Sequence, residues 1–375
     1  PTPTAQRSFP LLIPLLPSLS YDIMRSSPTY IILLLFIVLR WDTGYKPITY
    51  PRKSEGLVET YPIATNDNDN SARTMYQEFP LQIDTGSSTS WVVSSQCNRD
   101  ICTAVKRLDT SSLPTAEVGK SASIEFGRGL TVSGRVVRDV FSAGFLAVKN
   151  QTFIAADDVT APFPGSGILG LGFGAKSPVP DKPNTIFENM VEQNLIAEPV
   201  FGVRLVSHGG GEIMFGGIDL SIIKGAIQYL PVTSLLEWEI PVKGIKFANK
   251  IITPPTRFIV DTGTTVNIIP EKYAEILFAE IPGSGIDNET GLRTVPCDID
   301  ETFTTSFIIG NEEYIMPAKD LAFQRINNTN NCITGTQGGE LDDQWLLGDT
   351  FIKNFYVAFR LKPERSVGIA RRVDV

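Results

Sequence analysis

Short apolar runs, separated by glycine, proline and polar turn residues, follow one another along most of the chain. Many of them are rich in Val, Ile, Phe and Thr, such as FIV before Asp261 and SIEF before Gly127. Runs of β-branched and aromatic residues between turn residues are typical of β-strands. The pattern therefore predicts a mainly β protein.

A longer apolar run covers residues 31–39 and follows the first methionine, Met24, and the basic Arg25. It is too short for a helix that spans a bilayer, whereas a basic start before a short apolar core is typical of a secretory signal. Segment 24–41 is therefore predicted to be signal-like. A retained membrane anchor, or an uncleaved apolar tail, is the alternative. Residues 1–70 are predicted to be a leader, of which the later part is a short, atypical pro or linker segment.

The tripeptide Asp-Thr-Gly occurs twice, at Asp84 and at Asp261, and each copy follows an apolar run. Each copy also has an apolar-apolar-Gly motif far downstream, GILG ending at Gly170 and LLG ending at Gly348. Aspartate and glycine are 86 residues apart in the first half (84 to 170) and 87 apart in the second (261 to 348). Two paired motifs at nearly equal spacing indicate two related halves. We expect each apolar-apolar-Gly segment to pack beneath its aspartate loop.

The length of 375 residues suits two such halves. We predict an N-terminal lobe over residues 71–225 and a C-terminal lobe over residues 226–375. Apolar residues make up 42% of the chain and charged residues 20%, which is a globular composition. Residues 42–74 are polar and are predicted to be unstructured.

The net charge of −8 argues against nucleic acid or an anionic membrane surface as the main partner. The chain has one histidine, His208, within the glycine-rich SHGGGE. A Ser-His-Asp or Cys-His mechanism is therefore improbable, and so is a zinc site. No metal and no organic cofactor are predicted.

The four cysteines are Cys97, Cys102, Cys297 and Cys332, and four cysteines allow three pairings. Local pairing, Cys97 with Cys102 and Cys297 with Cys332, closes one small loop in each half. Four free buried thiols are the alternative. The predicted secretory signal favours disulfides.

Two carboxyls within hydrogen-bond distance can hydrolyse a peptide bond without a nucleophilic side chain. Because two close like charges do not both ionise easily, such a pair holds one proton across a wide acid range. One carboxylate takes a proton from water while its partner donates to the carbonyl oxygen. We therefore predict Asp84 and Asp261 as catalytic residues. Supporting roles are predicted for the residues that follow each aspartate: Thr85, Gly86, Ser87, Thr262, Gly263 and Thr264. Ser87 and Thr264 are expected to hydrogen-bond the outer carboxylate oxygens.

These motifs together resemble the pepsin-like aspartic proteases, especially the fungal secreted type, from about residue 77 to residue 373. The resemblance rests on QEFPLQIDTGSSTSW, GILGLGF, FIVDTGTT and WLLGDTFIKNFYVAFRLKPERSVGIA, among others. It implies two β-barrel-like lobes with a long cleft between them that holds an extended polypeptide. It also implies a single-chain, monomeric endopeptidase that acts at acid pH. The rival hypothesis is a catalytically impaired pepsin-like protein kept for binding or inhibition.

The resemblance further implies a β-hairpin flap at residues 123–134, with Gly127 and Gly129 supplying its turn. Relatives usually have a tyrosine at the position of Phe126, which hydrogen-bonds the tryptophan that corresponds to Trp91. Phe126 cannot make that bond, so a looser flap is expected. Gln82, on the same side of its strand as Asp84, either lines the pocket or hydrogen-bonds a neighbour. The predicted flap and substrate-binding residues are Phe126, Gly127, Trp91, Gln82 and Ile168.

Acceptor motifs for N-glycosylation occur at Asn150, Asn288 and Asn327. With the signal-like segment they predict a secreted glycoprotein, with vacuolar delivery as the alternative. No stable association with a membrane is expected.

Overall fold

The computed structural model describes residues 11–15, 36–37, 61–64, 76–112, 120–143, 146–163, 165–206, 211–327, 329–339 and 345–375. The described chain divides into two compact units. Unit 1 holds the described residues up to 201 together with 211–218, and unit 2 holds residues 202–206 and 219–375.

Unit 1 consists mainly of strands, with two short α-helices. Its strands are β1 (Leu11–Leu15), β2 (Phe36–Ile37), β3 (Tyr61–Ala64), β4 (Tyr76–Phe79), β5 (Leu81–Asp84), β6 (Trp91–Val93), β7 (Ser121–Glu125), β8 (Thr131–Ala143), β9 (Leu146–Val159), β10 (Gly167–Gly170) and β12 (Gly211–Phe215). Its helices are α1 (Asp100–Thr103) and α2 (Ile186–Glu192). Strand β11 (Val200–Leu205) carries the chain from unit 1 into unit 2.

The strands that lead to the first Asp-Thr-Gly motif lie in one large sheet. Its order among the described strands is β2-β5-β10-β6-β9-β8-β3-β4, and β7 pairs with the outer part of β8. Strand β1 pairs antiparallel with β12. Strands β5 and β10 run parallel, so the aspartate at the end of β5 lies beside the glycine at the end of β10.

The core of unit 1 next to this sheet is built on Trp91, Val132, Ile154 and Ile168, all buried. Side chains along a strand point alternately to the two faces of the sheet. These four share one face and together exclude water. The disulfide Cys97–Cys102 belongs to the same cluster.

Unit 2 is also mainly β, with three short α-helices. Its strands are β13 (Ile223–Pro231), β14 (Glu239–Phe247), β15 (Lys250–Ile251), β16 (Thr256–Val260), β17 (Asn267–Pro270), β18 (Gly285–Ile286), β19 (Arg293–Pro296), β20 (Thr305–Ile309), β21 (Glu312–Met316), β22 (Ala322–Arg325), β23 (Asn331–Thr334), β24 (Thr336–Gly339), β25 (Leu346–Leu347), β26 (Phe355–Arg360) and β27 (Ser366–Arg372). Its helices are α3 (Glu271–Ala279), α4 (Ala318–Leu321) and α5 (Asp349–Ile352).

The second Asp-Thr-Gly motif follows β16, in a sheet of order β21-β20-β14-β16-β25-β17-β24 with β15 paired to β14. A smaller sheet has the order β18-β19-β23-β22, and β27 pairs antiparallel with both β26 and β13. Aromatic rings fill the core: Phe258 packs against Phe307 and Trp345, with ring centroids 5.7 and 5.2 Å apart. The disulfide Cys297–Cys332 closes a loop beside β19 and β23.

The mainly β fold class is confirmed. Both disulfides are the local pairs, and each closes a loop within one unit. The prediction of an unstructured lead-in over residues 42–74 is wrong at β3, whose backbone pairs with β4 and with β8. Apart from Phe36–Ile37, the signal-like segment 24–41 lies outside the described residues. The lobe bounds at residues 71–225 and 226–375 stay predictions.

Candidate active site

The first aspartate loop begins where β5 ends. Asp84 is buried, and in the parallel pair of β5 and β10 it lies opposite Gly170. Its carboxylate Oδ1 accepts hydrogen bonds from the backbone N–H groups of Gly86 (2.9 Å) and Ser87 (3.1 Å). The backbone carbonyl of Asp84 accepts from the N–H of Leu171 at 2.8 Å. The loop thus folds back on its own carboxylate and fixes the orientation of that group.

The second aspartate loop begins where β16 ends and repeats this arrangement. Asp261 is buried, and its N–H donates to the carbonyl of Leu347 at 2.9 Å. Its Oδ1 accepts from the N–H of Gly263 at 2.8 Å, and its Oδ2 accepts from the hydroxyl of Thr264 at 2.5 Å. The motif therefore directs hydrogen-bond donors at the carboxylate in both copies.

The apolar-apolar-Gly segments pack against the aspartate loops as predicted. β10 pairs parallel with β5, and β25 pairs parallel with β16. A Cβ atom added to Gly170 would lie 2.8 Å from the backbone N of Thr89, and one added to Gly348 would lie 2.4 Å from the carbonyl O of Thr264. Only glycine allows the backbone to approach this closely, which explains why both motifs end in it.

Two supporting residues that the sequence analysis did not identify are Ser90 and Asn267. The hydroxyl of Ser90 accepts a hydrogen bond from the N–H of Gly170 at 3.1 Å. The side-chain oxygen of Asn267 accepts from the N–H of Gly348, also at 3.1 Å. Both side chains are buried, and each comes six residues after its aspartate. A polar residue at the same offset in both copies was the available signal.

The predicted pair of hydroxyl contacts is found in one loop only. Thr264 bonds Asp261 through its hydroxyl, as expected. Ser87 contacts Asp84 through its backbone N–H, while its buried hydroxyl has no hydrogen-bond partner in the structure. The expected bond from the Ser87 hydroxyl to Asp84 is therefore wrong for this structure, because the backbone N–H of Ser87 makes the contact instead.

Thr85 and Thr262 are fully buried beside their aspartates. The supporting role that the sequence analysis predicts for these two threonines stays a prediction.

Residues 121–135 form the predicted hairpin. Strands β7 and β8 pair antiparallel from Ser121 and Arg135 to Glu125 and Thr131. A short 3-10 turn, Gly127–Gly129, connects them. The φ angle of Gly129 is +76°, a left-handed conformation that favours glycine, whereas a Cβ on Gly127 would meet nothing within 4 Å.

Trp91 lies against Phe126, the residue that precedes the turn of this hairpin, and pairs with Ile168. The Trp91 and Phe126 ring centroids are 6.4 Å apart, and Ile168 lies opposite Trp91 in the pairing of β10 with β6. Phe163, which the sequence analysis did not single out, packs its ring edge against Trp91 at 4.8 Å. The buried Trp91 Nε1 has no hydrogen-bond acceptor in the structure. Phe126 thus supplies apolar contact to the indole and no hydrogen bond.

Gln82 is buried in β5, two residues before Asp84, and lies opposite Ile168 in β10. The two readings of Gln82, lining a pocket or bonding a neighbour, stay predictions. Asn150, Asn288 and Asn327 are all exposed, so each is accessible to modification.

Within the described ranges, no group of three or more His, Cys, Asp or Glu side chains is arranged to hold a metal ion. The helices among these residues are also too short or too polar to cross a membrane.

Comparison with known proteins agrees with this geometry. A sequence profile described as eukaryotic aspartyl protease matches residues 73–372. Rhizopuspepsin-4 of Rhizopus niveus is 34% identical over 289 residues, which cover 75% of this chain and 71% of the relative. Rhizopuspepsin-2 of the same organism is 30% identical over 364 residues, 87% of this chain and 90% of the relative. Syncephapepsin of Syncephalastrum racemosum is 32% identical over 296 residues, 77% and 73% of the two chains. The chain therefore belongs to the eukaryotic aspartyl protease family and is an aspartic endopeptidase.

Proposed function

We propose that Asp84 and Asp261 are the catalytic pair of this endopeptidase and share one proton at acid pH. The ionised carboxyl takes a proton from a water molecule as the water attacks the peptide carbon. The protonated carboxyl donates its proton to the carbonyl oxygen in the same step, so no covalent enzyme intermediate forms. The titration belongs to the pair, and neither proton is assigned to one residue.

The observation that carries this proposal is the repeated loop. In each unit a buried aspartate lies at the end of a strand, and the backbone N–H of the glycine two residues later donates to its Oδ1, joined at Asp84 by the N–H of Ser87. Such donors hold a carboxyl in a fixed direction before substrate binds, which is how catalytic groups are preorganised. Gly86, Ser87, Gly263 and Thr264 supply these contacts in the proposal, and Thr85 and Thr262 tie the two loops.

The substrate in this proposal is an extended polypeptide, and the hairpin of β7 and β8 closes over it as a flap. Closure of a flap excludes water from the reacting atoms. Phe126 and Gly127 at the tip, with Trp91, Ile168 and Gln82 below, form the wall against which substrate side chains pack. That wall is largely apolar, which favours apolar side chains next to the cleaved bond.

We further propose that the protein works as a secreted monomer, without cofactor, and carries glycans at one or two of Asn150, Asn288 and Asn327. Disulfides persist in oxidising compartments, and both cysteine pairs are joined here. The net charge of −8 disfavours nucleic acid as a partner. The alternative to secretion is delivery to the vacuole, which would begin with the same kind of signal segment.

The test is hydrolysis of a denatured protein substrate from about pH 2 to pH 8, with and without a statine-type mimic of the tetrahedral intermediate. Cleavage confined to acid pH and abolished by the mimic is expected from a proton-sharing pair. A folded protein that cleaves at no pH, or whose cleavage the mimic leaves unchanged, would contradict the proposal. Binding of the same peptides without cleavage would favour the rival, a pepsin-like binding protein.

A further inference from the structure

The tip of the hairpin is held by a residue outside it. The N–H of Thr131 donates to the hydroxyl of Thr160 at 2.8 Å, and this hydroxyl donates to the carbonyl of Gly129 at 3.1 Å. The N–H of Thr160 also donates to the carbonyl of Thr131 at 3.0 Å. One threonine thus makes three hydrogen bonds to two residues of the tip.

These bonds lie just beyond the end of the regular pairing between β8 and β9. The last paired residues are Val132 and Val159, so Thr160 is the first residue beyond β9. Its hydroxyl takes the place of a strand carbonyl as acceptor for Thr131 and then reaches one step further, to the turn at Gly129. A side chain that lacked the hydroxyl would leave the N–H of Thr131 and the carbonyl of Gly129 without these partners, while the backbone bond from Thr160 to the Thr131 carbonyl would remain.

The end of β9 is itself firmly attached to unit 1. Asp157 accepts from the hydroxyl of Ser94 at 2.5 Å and from Arg135 at 2.9 Å. Asp158 pairs with Arg99 of the disulfide loop. The hydrogen bond from Arg99 lowers the pKa of Asp158, so this pair persists to lower pH than an unpaired carboxylate would allow. Thr160 therefore connects the hairpin tip to a strand end that Ser94, Arg135 and Arg99 hold through Asp157 and Asp158.

The opposite side of the tip has weaker attachments. Phe126 contacts Trp91 through apolar surface, and the indole N–H of Trp91 makes no hydrogen bond to the hairpin. The N–H of Phe126 closes the hairpin on itself by donating to the carbonyl of Leu130 at 2.8 Å. The polar contacts of Thr160 are thus the described hydrogen bonds that join the tip to the body of unit 1.

We propose that Thr160 is a positioning residue for the flap, and that its hydroxyl sets how readily the tip closes over a bound polypeptide. The proposal rests on the proposed function of the hairpin as a flap. Thr160 touches neither substrate nor the reacting atoms, and acts through Gly129 and Thr131. Because the side chain is exposed, its bonds contribute little to global stability and more to the local order of the tip.

The test compares Thr160→Val, which keeps the shape and removes the hydroxyl, with Thr160→Ser, which keeps the hydroxyl. Thr103→Val is the matched control, because Thr103 is also exposed and its hydroxyl bonds only the local carbonyl of Asp100. Amide hydrogen exchange of the tip and steady-state cleavage of a peptide of about eight residues are measured for each, with the melting temperature.

We expect Thr160→Val to speed exchange at Thr131 and to lower kcat/KM by about two- to tenfold, chiefly through KM, with the melting temperature unchanged. Thr160→Ser and Thr103→Val should behave as the unmodified chain. Unchanged exchange at Thr131 in Thr160→Val would overturn the inference. So would equal losses in the Val and Ser variants, or a fall in melting temperature that accounts for the loss. Exchange needs no catalysis, so it tests the contact even if the unmodified protein fails to cleave.

Discussion

The two aspartate loops share a hydrogen bond from the glycine N–H to the carboxylate but differ in the contacts of the residue that follows. Both aspartates are buried, and each Oδ1 accepts from the N–H of the glycine two residues later. In unit 2 the Thr264 hydroxyl also bonds Asp261, whereas in unit 1 the Ser87 hydroxyl makes no bond and only its N–H contributes. A repeated tripeptide therefore reproduces a loop conformation without reproducing the whole environment of its carboxylate.

Ser90 and Asn267, the side chains that bond the two glycines, also differ between the units, and the one in unit 2 again has more described hydrogen bonds. Ser90 bonds Gly170 with one hydroxyl. Asn267 bonds Gly348 and also donates to the Thr336 hydroxyl at 3.3 Å and to the Met316 sulfur at 3.2 Å. Among the described side-chain hydrogen bonds, Asn267 thus makes more than Ser90 does, so substitutions at these two residues should have unequal effects.

The largest expected effect is on kcat and concerns the two aspartates themselves, which should be equally sensitive to substitution. Replacing either aspartate, Asp84→Asn or Asp261→Asn, removes a group that exchanges a proton in the proposed mechanism, so kcat should fall by about 10²- to 10⁴-fold in both variants. Peptide cleavage at the acid optimum measures this, with circular dichroism and melting temperature showing that the variants fold. Near-normal turnover in either variant would mean that the carboxyls do not act as a pair.

The next effect concerns the close approach of the glycines. Gly348→Ala places a Cβ against two carbonyl oxygens, at 2.4 and 2.5 Å, while Gly170→Ala meets its nearest atom at 2.8 Å. We expect a loss of unfolding free energy of about 3 kcal/mol at Gly348 and about 1–2 kcal/mol at Gly170. Urea unfolding of both measures the difference.

Gly127→Ala serves as the control for the glycine series, because a Cβ there would meet no atom within 4 Å. It should leave the unfolding free energy within about 0.5 kcal/mol of the unmodified chain. Equal losses at Gly348 and Gly170 would show that the loops relax to the same extent and would remove this part of the comparison.

Substitutions of Asn267 and Ser90 should also differ in the unfolding free energy that they cost. Asn267→Leu keeps the approximate side-chain volume but leaves the buried N–H of Gly348 without its acceptor, so we expect a loss of about 2–3 kcal/mol in unfolding free energy. Ser90→Ala removes a single bond and should cost about 1 kcal/mol. Urea midpoints, read at constant m-value, test this order. A larger loss for Ser90→Ala would reverse the assignment of the better-held loop.

The sequence predicted the backbone of the site and missed much of its side-chain support, for a physical reason. Gly170 and Gly348 are fixed by a close backbone approach that only glycine allows, and their nearly equal spacing from Asp84 and Asp261 indicates the paired strands. The contact from Ser90 to Gly170 joins residues 80 positions apart. Such a bond depends on the side-chain rotamer and on tertiary packing, neither of which leaves a local pattern.

Tertiary contacts without a local sequence pattern also explain what was missed in the hairpin of β7 and β8 and in residues 42–74. Gly129 marks the turn of a hairpin because its φ of +76° favours glycine, while no sequence pattern indicates that Phe163 packs against Trp91. Strand β3 lies in a polar stretch, and its pairing with β4 depends on the partner edge more than on its own composition.

The smallest expected difference is in kcat between Thr264→Val and Ser87→Ala, and it tests the hydroxyl contacts directly. Thr264→Val removes the bond to Asp261 Oδ2 while keeping the shape of the side chain, and we expect kcat to fall by about three- to tenfold. Ser87→Ala removes a hydroxyl that has no partner, so kcat should change by less than about twofold. Steady-state cleavage at the acid optimum measures both, and Thr264→Ser, which keeps the hydroxyl, should restore most of the rate.

Equal losses in Thr264→Val and Ser87→Ala would mean that the Ser87 hydroxyl turns toward Asp84 once substrate is bound, because a serine rotamer change costs little. The two loops would then be alike in the working enzyme and unlike only at rest. A loss confined to Thr264→Val would instead show that the asymmetry persists through catalysis. One carboxylate of the pair would then depend on the hydroxyl three residues later and the other would not, which gives the two aspartates a physical basis for unequal roles.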